Sequence, residues 1–442
     1  MRKFASLALA CTMALTLLAG CGGSASSSSA APASTAGSTA SSAASAEPVN
    51  LKWAVWDIDA TAYYQPLLDA YKAQNPNVTI DMVDLGSTDY QTVLATQLSG
   101  GADDLDIISV KDIPGYSNLV SLGMLEPLNT YTDAAGLDTT KLGGTVEQIT
   151  VDGNYYALPY IQSFWVVFYN KDLFDAAGVE YPSNDMTLEE YDALARQLTS
   201  GTGAEKVYGN HYHTWRSAVQ LFGVLDGKNT VVDGTYDFLK PYYELILAEQ
   251  DDGICMDYAT LKTASTHYSG VFYNNQAAMM NMGTWFIGTQ IEKVKSGESL
   301  STNWGIVKYP HPAGVEAGTT LGTITSLGVN SKSAHKQEAF DFIDFVCGEE
   351  GAKIVASTGT FPALSSEEAL EQIASLDGFP QDENSKAALQ TVKTYLEMPL
   401  HEKSADIETV LNQAHDNIMT ENVTIDEGIA EMNEGVQAIL NG

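Results

Sequence analysis

The residues that could support catalysis or metal binding do not form a recognisable motif. His211 and His213 are two positions apart, which on a strand points both rings to one side, but no third metal ligand follows at a suitable spacing. Asp103, Asp104 and Asp106 lack the central glycine and distal glutamate of a calcium loop. GxSxG, HExxH and phosphate-loop patterns are absent. We therefore expect a protein without enzymatic activity or cofactor, although its many carboxylates leave a glycosidase-like acid pair open.

Polar and aromatic residues instead follow two short apolar segments, 51–55 and 106–110, that predict strands. The four residues beyond the carboxyl ends of these strands are Trp56, Asp57, Lys111 and Asp112. A third strand is predicted at 78–83, and amphipathic helices separate the three strands. This alternation predicts an α/β fold with a parallel sheet, in which ligands bind beyond the carboxyl ends of the strands.

The rest of the chain continues the alternation of strands and helices. The segment 151–160 predicts a turn followed by a strand, and the apolar segment 164–169 predicts a second strand. Thr187 begins a capping box, and Ser333 is expected to cap a second helix. The tail at 408–440 is predicted to be largely helical.

The charge of the chain is strongly negative. Its 442 residues include 56 acidic and 22 basic ones, a formal net charge of −34. Because each phosphate contact needs a lysine or an arginine, nucleic acid is excluded as the expected partner. The length and the 44% of hydrophobic residues indicate a globular protein of two or three packed units.

The first 46 residues are typical of an export signal followed by a tether. A basic start precedes the apolar run 4–18, which is short for a membrane-spanning helix. The segment Leu18-Ala19-Gly20-Cys21 resembles a bacterial lipobox, which implies removal of 1–20 and a lipid on Cys21. An ordinary signal peptide that happens to precede a cysteine is the alternative. The remainder, up to residue 46, contains only small residues and predicts a flexible linker.

Four segments of the body occur in the order of a known family. They are 71–78, 100–128, 153–174 and 275–285, with Gln74-Asn75-Pro76 in the first and Gly283-Thr284-Trp285 in the last. Together, and behind a lipobox, they resemble extracellular solute-binding protein family 1, the sugar-binding receptors of ABC importers. The resemblance extends over most of 51–364.

This resemblance implies two α/β lobes of a periplasmic-binding-protein-like fold, joined by hinge strands. One lobe would comprise 51–161 with 310–355, and the other 162–309 with 356–442. The ligand would lie in the cleft between the lobes. The implied partners are a carbohydrate, the permease of an ABC transporter and, through Cys21, the outer face of a cytoplasmic membrane of Gram-positive type. The protein is expected to act as a monomer.

Nine residues combine a position near the expected cleft with side chains suited to sugars, whose apolar faces stack on aromatic rings and whose hydroxyl groups bind charged or amide side chains. They are Trp56, Asp57, Lys111, Asp112, Gln162, Trp165, Trp215, Trp285 and Phe361. Trp285 occupies the position where the family commonly stacks an aromatic ring on sugar, so we expect it to contribute most. Phe361 is included because the family often turns that loop toward the ligand.

Several candidates have a structural alternative. Trp56 and Trp165 are also explained as rings packed within the fold, and Lys111 with Asp112 as a solvated loop pair.

The expected function, capture of a carbohydrate for an ABC permease, has alternatives as well. These are a receptor for a cationic polyamine or peptide, a secreted carbohydrate-active enzyme, and an adhesin or sensor with a protein-binding surface.

Overall fold

The structure is a computed structural model that describes residues 47–86, 90–101, 104–142, 144–364 and 366–442. Within these ranges the strands are β1 Val49–Val55, β2 Val78–Asp84, β3 Ile107–Val110, β4 Leu158–Asn170, β5 Tyr208–His211, β6 Ala277–Gly283, β7 Trp304–Lys308, β8 Thr319–Val329 and β9 Lys393–Leu396.

The helices surround these strands. In chain order they are α1 Tyr64–Gln74, α2 Tyr90–Ser99, α3 Ile113–Ser121, α4 Asn129–Ala135, α5 Thr145–Gln148, α6 Lys171–Ala177, α7 Leu188–Leu198, α8 Ser217–Gln220, α9 Lys240–Asp251, α10 Tyr258–Thr263, α11 Tyr268–Tyr273, α12 Phe286–Ser296, α13 Lys336–Cys347, α14 Glu349–Ser357, α15 Glu367–Ala374, α16 Glu383–Ala388, α17 Ser404–Met419 and α18 Ile425–Asn441. Across the ranges given above, none of these helices is long and apolar enough to cross a membrane.

The sheet has two halves that share strand β4. In the first half-sheet, β1 pairs in parallel with β2 and β3, and β8 lies antiparallel between β3 and residues 158–164 of β4. In the second half-sheet, residues 165–170 of β4 pair with β6 and β7, and β5 lies parallel to β6. The order is β2-β1-β3-β8-β4-β6-β5. The predicted alternation and the parallel pairing of the first strands are confirmed.

Two local expectations are wrong. The strand predicted within 151–160 and the strand predicted at 164–169 are one strand of 13 residues, β4, because residues 161–163 continue the pairing with β8 without a turn. The register of this pairing shifts between Pro159 and Ile161. Ser333 is not the cap of α13, which begins at Lys336 without a side-chain cap. Its hydroxyl donates to Asp106 Oδ1 at 2.5 Å and accepts from the backbone N–H of His335, so it ties the strand β3 to the approach of α13.

Other local expectations are confirmed. Thr187 and Glu190 form the capping box of α7. The tail contains the long helices α17 and α18. Trp53 is fully buried beneath the first half-sheet, where its indole N–H donates to Ser109 Oγ at 2.8 Å. This packing supports the strands whose carboxyl ends carry four of the candidate residues.

A buried carboxyl group lies next to β5 of the second half-sheet. Glu249 on α9 has no exposed surface. Its carboxyl oxygens accept hydrogen bonds from Asn210 Nδ2 at 3.0 and 3.2 Å, and one of them accepts from the Tyr212 hydroxyl at 3.2 Å. Burial raises the pKa of Glu249 to about 8, and the nearby charge of Asp192 acts in the same direction.

We expect Glu249 to make the folded state less stable as the pH rises. The folded carboxyl keeps its proton to about pH 8, whereas the ordinary value for an exposed glutamate is 4.5. Between these two pH values the folded state binds more protons than the unfolded chain. As the pH rises, the free energy of unfolding should therefore fall by about 1 kcal/mol per pH unit. Glu249→Gln, which resembles the protonated group, should flatten this slope in urea titrations from pH 5 to 8. The exposed Glu244→Gln on the same helix is the control, and an unchanged slope for Glu249→Gln would contradict the assignment.

Candidate ligand-binding site

The carboxyl end of β1 presents an aromatic ring beside a cation. Trp56 is half-buried, and its ring packs edge-on against Tyr90 with the centroids 4.8 Å apart. Lys111 Nζ lies 5.5 Å from the centroid of the Trp56 ring, within the range of a cation–π contact. Asp57 is exposed in a left-handed conformation, φ 49°, at the start of a short 3₁₀ turn. The structure thus brings together the residues that follow β1 and β3.

Asp112 has a structural role in addition to any contact with a ligand. Its Oδ1 accepts a hydrogen bond from the backbone N–H of Gly115 at 2.9 Å and so caps helix α3. Burial raises the pKa of Asp112, and the charge of Glu408 acts in the same direction. Burial also lowers the pKa of the neighbouring Lys111. The two charges are therefore partly desolvated and do not form the solvated loop pair that was the alternative.

Three of the predicted tryptophans belong to one aromatic cluster, which we define as Trp165, His213, Trp215, Tyr268 and Trp285. The Trp285 ring lies 5.6 Å from Trp165 and 6.2 Å from Trp215, between centroids. Trp215 also contacts His213 at 4.5 Å and Tyr268 at 5.6 Å. Trp215 is 38% exposed and Trp285 half-buried, whereas Trp165 is 1% exposed. Trp215 and Trp285 therefore offer ring surface to a ligand, whereas the buried Trp165 packs against Trp285 alone of these two.

A charged group that the sequence did not indicate lies next to this cluster. The indole N–H of Trp165 donates to Glu397 Oε1. Arg216, which follows Trp215, is buried and donates through Nε to Glu408 Oε2 at 2.9 Å and through Nη1 to Gln220 Oε1 at 3.2 Å. Burial raises the pKa of Glu397 to about 7, and Glu408 and Asp112 act in the same direction.

The remaining two predicted residues meet at the crossing of β4. The backbone N–H of Gln162 donates to the carbonyl of Phe361 at 3.1 Å. The Phe361 ring is 6% exposed and packs edge-on against Phe164 at 4.9 Å. Phe361 therefore contributes to a hydrophobic core, and its contact with a ligand stays a prediction.

The two groups of candidates act on one another electrostatically. Burial raises the pKa of Tyr268, the first residue of α11, to about 12, and the charge of Asp57, which follows β1, adds to this shift. Asp112 and Glu408 are coupled in the same way. Helix α17 packs against α3, and the Ser117 hydroxyl donates to the carbonyl of His401 at 2.6 Å. The charges beyond the ends of β1 and β3 therefore act on the aromatic cluster and on α17.

The histidine pair has no metal-binding geometry. Burial lowers the pKa of both His211 and His213 to about 3, so both imidazoles are neutral at physiological pH. Among the residues that the structure describes, no three histidine, cysteine or carboxylate side chains form a group that could hold a metal ion.

Three comparisons with known proteins agree with this architecture. Residues 56–353 match the family model of the bacterial extracellular solute-binding proteins. A lactose-binding protein from Rhizobium radiobacter is 24% identical over 310 residues, which cover 67% of this chain and 69% of that protein.

Solved structures extend the agreement to the fold. The crystal structure of a sugar transporter from Rhizobium etli, in an open conformation, aligns with a TM-score of 0.76 and 56% identity over 88% of this chain and 99% of that chain. An ABC substrate-binding protein from Listeria monocytogenes, in complex with cycloalternan, aligns with a TM-score of 0.75 and 21% identity over 89% of this chain and 100% of that chain. The α/β, two-lobed fold expected from the resemblance is confirmed. Because the family model covers more than half of its length, the chain belongs to the bacterial extracellular solute-binding proteins.

Proposed function

We propose that this protein captures a carbohydrate between its two lobes and delivers it to the permease of an ABC importer. The observation that carries the proposal is the accessible ring surface of Trp215 and Trp285, in a cluster on which the charge of Asp57 beyond β1 acts. Aromatic rings cover the apolar faces of a sugar, and carboxylates and cations bind its hydroxyl groups. The lactose-binding and cycloalternan-bound relatives support the same class of ligand.

The proposed lobes are those expected from the sequence, 51–161 with 310–355 and 162–309 with 356–442. In support, β4 pairs with β8 in the first half-sheet and with β6 and β7 in the second, so the chain passes from one half to the other within a single strand. A ligand that contacts both lobes only in the closed form stabilises that form by its differential affinity. The permease would then recognise the closed surface.

A screen of ligands tests this function. The full chain would be melted in the presence of mono- and oligosaccharides, polyamines, amino acids and short peptides. A ligand at about 100 times its Kd adds roughly 2.7 kcal/mol of stability, which raises the Tm by a few degrees. We expect shifts confined to carbohydrates. Shifts with polyamines or peptides alone would exclude a sugar, and product formed overnight from a bound oligosaccharide would indicate an enzyme.

We also propose that the protein is held on the outer face of the cytoplasmic membrane by a lipid on Cys21, which lies outside the described residues. The lipobox and the small-residue linker after it support this location. Cys21→Ala should abolish the incorporation of labelled palmitate and shift the protein from the membrane to the soluble fraction. Cys11→Ala, within the proposed signal peptide, is the matched control. Labelling that persists in Cys21→Ala would contradict the anchor.

A further inference from the structure

A cavity of about 300 Å³ lies beside Glu397, the residue that accepts the hydrogen bond of Trp165. It is lined by Gln148 at the end of α5, by residues within 224–231, and by residues within 395–400 that follow or end β9. Its volume lies at the lower end of the range of ligand pockets, about 300–1,000 Å³. Glu397 belongs to the wall of this cavity and also accepts the hydrogen bond from Trp165. Glu397 therefore connects the cavity to the aromatic cluster through this hydrogen bond.

The carboxylate of Glu397 is poorly compensated by the charges around it. Arg216 acts on it favourably, but the guanidinium donates its hydrogen bonds to Glu408 and Gln220. Glu408 and Asp112 both disfavour its charge. A half-buried carboxylate whose charged neighbours include two further carboxylates is costly to desolvate, and closure of the lobes would desolvate it further.

We propose that this cavity binds a sugar unit carrying a positively charged amine, with its ammonium group against Glu397. The inference rests on the function proposed above and specifies the class of carbohydrate. An ammonium group supplies the missing positive charge and can donate to the carboxylate, which accepts hydrogen bonds only. The neutral side chains of Gln148, Asn229, Thr230 and Tyr395 on the same wall can bind the hydroxyl groups of that unit.

The charges elsewhere in the site are consistent with a cationic ligand. The described residues around the site include four carboxylates, Asp57, Asp112, Glu397 and Glu408, and two basic groups, Lys111 and Arg216. The formal charge of −34 on the whole chain attracts a cation over a longer range. A neutral sugar can hydrogen-bond these side chains through its hydroxyl groups, but it supplies no positive charge to compensate the carboxylates.

Calorimetric titration of the full chain with matched sugars tests the proposal. The probes are glucosamine, N-acetylglucosamine and glucose, together with a disaccharide of each. Acetylation removes the charge and keeps the ring, so we expect the amine-bearing sugars to bind at least about tenfold more tightly than their acetylated forms. Glu397→Gln keeps an acceptor for Trp165 and should remove this preference. Glu244→Gln, an exposed helical position with the same change of charge, should preserve it.

The outcomes separate this inference from the function on which it rests. Tighter binding of the amine-bearing sugars by the unmodified chain, lost in Glu397→Gln, supports the proposal. Equal or tighter binding of the neutral sugars overturns it and leaves the carbohydrate function standing. A preference for the amine that survives in Glu397→Gln also overturns it, since the contact then lies elsewhere. If none of these sugars and none of the carbohydrates in the melting screen binds, both proposals fail.

Discussion

Trp285→Ala should lower the affinity for the bound carbohydrate by about 2 kcal/mol, or roughly 30-fold. The half-buried Trp285 ring lies between Trp165 and Trp215 and is in contact with both, so its removal deletes the centre of the proposed stacking surface. Trp285→Phe retains an aromatic face and should lose much less. Calorimetric titration with the sugar identified by the melting screen measures both variants.

The control for this prediction is a tryptophan that is buried in a hydrophobic core and lies outside the aromatic cluster. Trp304 begins β7, is 3% exposed and stacks on Phe168 with the centroids 5.9 Å apart. Trp304→Phe should lower the Tm and leave the sugar affinity unchanged. Wild-type affinity in a folded Trp285→Ala variant would show that the ring does not stack on the ligand.

Arg216→Met should destabilise the folded protein by about 3 kcal/mol, the lower end for a buried ion pair, because it leaves the partly buried carboxylate of Glu408 uncompensated. The side chain of Arg216 is 6% exposed and that of Glu408 is 27% exposed. The guanidinium joins the start of α8 to α17, and α17 packs against α3. Urea denaturation of the variant and the wild type measures the loss.

Two further variants make the prediction about Arg216 specific. Lys262→Met removes an ion pair with Asp416 whose side chains are 44% and 39% exposed, and it should cost less than about 1 kcal/mol. The double variant Arg216→Met with Glu408→Gln should recover part of the loss, since it removes the uncompensated charge. A loss for Arg216→Met as small as that for Lys262→Met would show that the buried pair contributes little.

Much of the fold was predictable because its signals are local. Apolar periodicity located β1, β2 and β3, and the capping box at Thr187 marked the start of α7. The boundary inside β4 was misplaced because a strand that is buried along nearly its whole length has no alternation to mark where its partners change. The cap assigned to Ser333 failed for a related reason. Its hydroxyl bonds Asp106, which is 227 positions away in the chain.

The candidate site also has features that the sequence determined and features that only the tertiary structure determined. By itself the sequence determined which residues follow β1 and β3, that a tryptophan stands at position 285, and that the chain carries an excess of negative charge. The tertiary structure alone placed Glu397 beside Trp165 and Glu408 beside Arg216, pairs separated by 232 and 192 positions. The tertiary structure also determined that Trp165 and Phe361 are buried, whereas the ring of Trp215 is partly exposed to solvent. The physical reason is that strand ends and helix caps are encoded by neighbouring residues, whereas burial and charge compensation depend on which distant segments pack together.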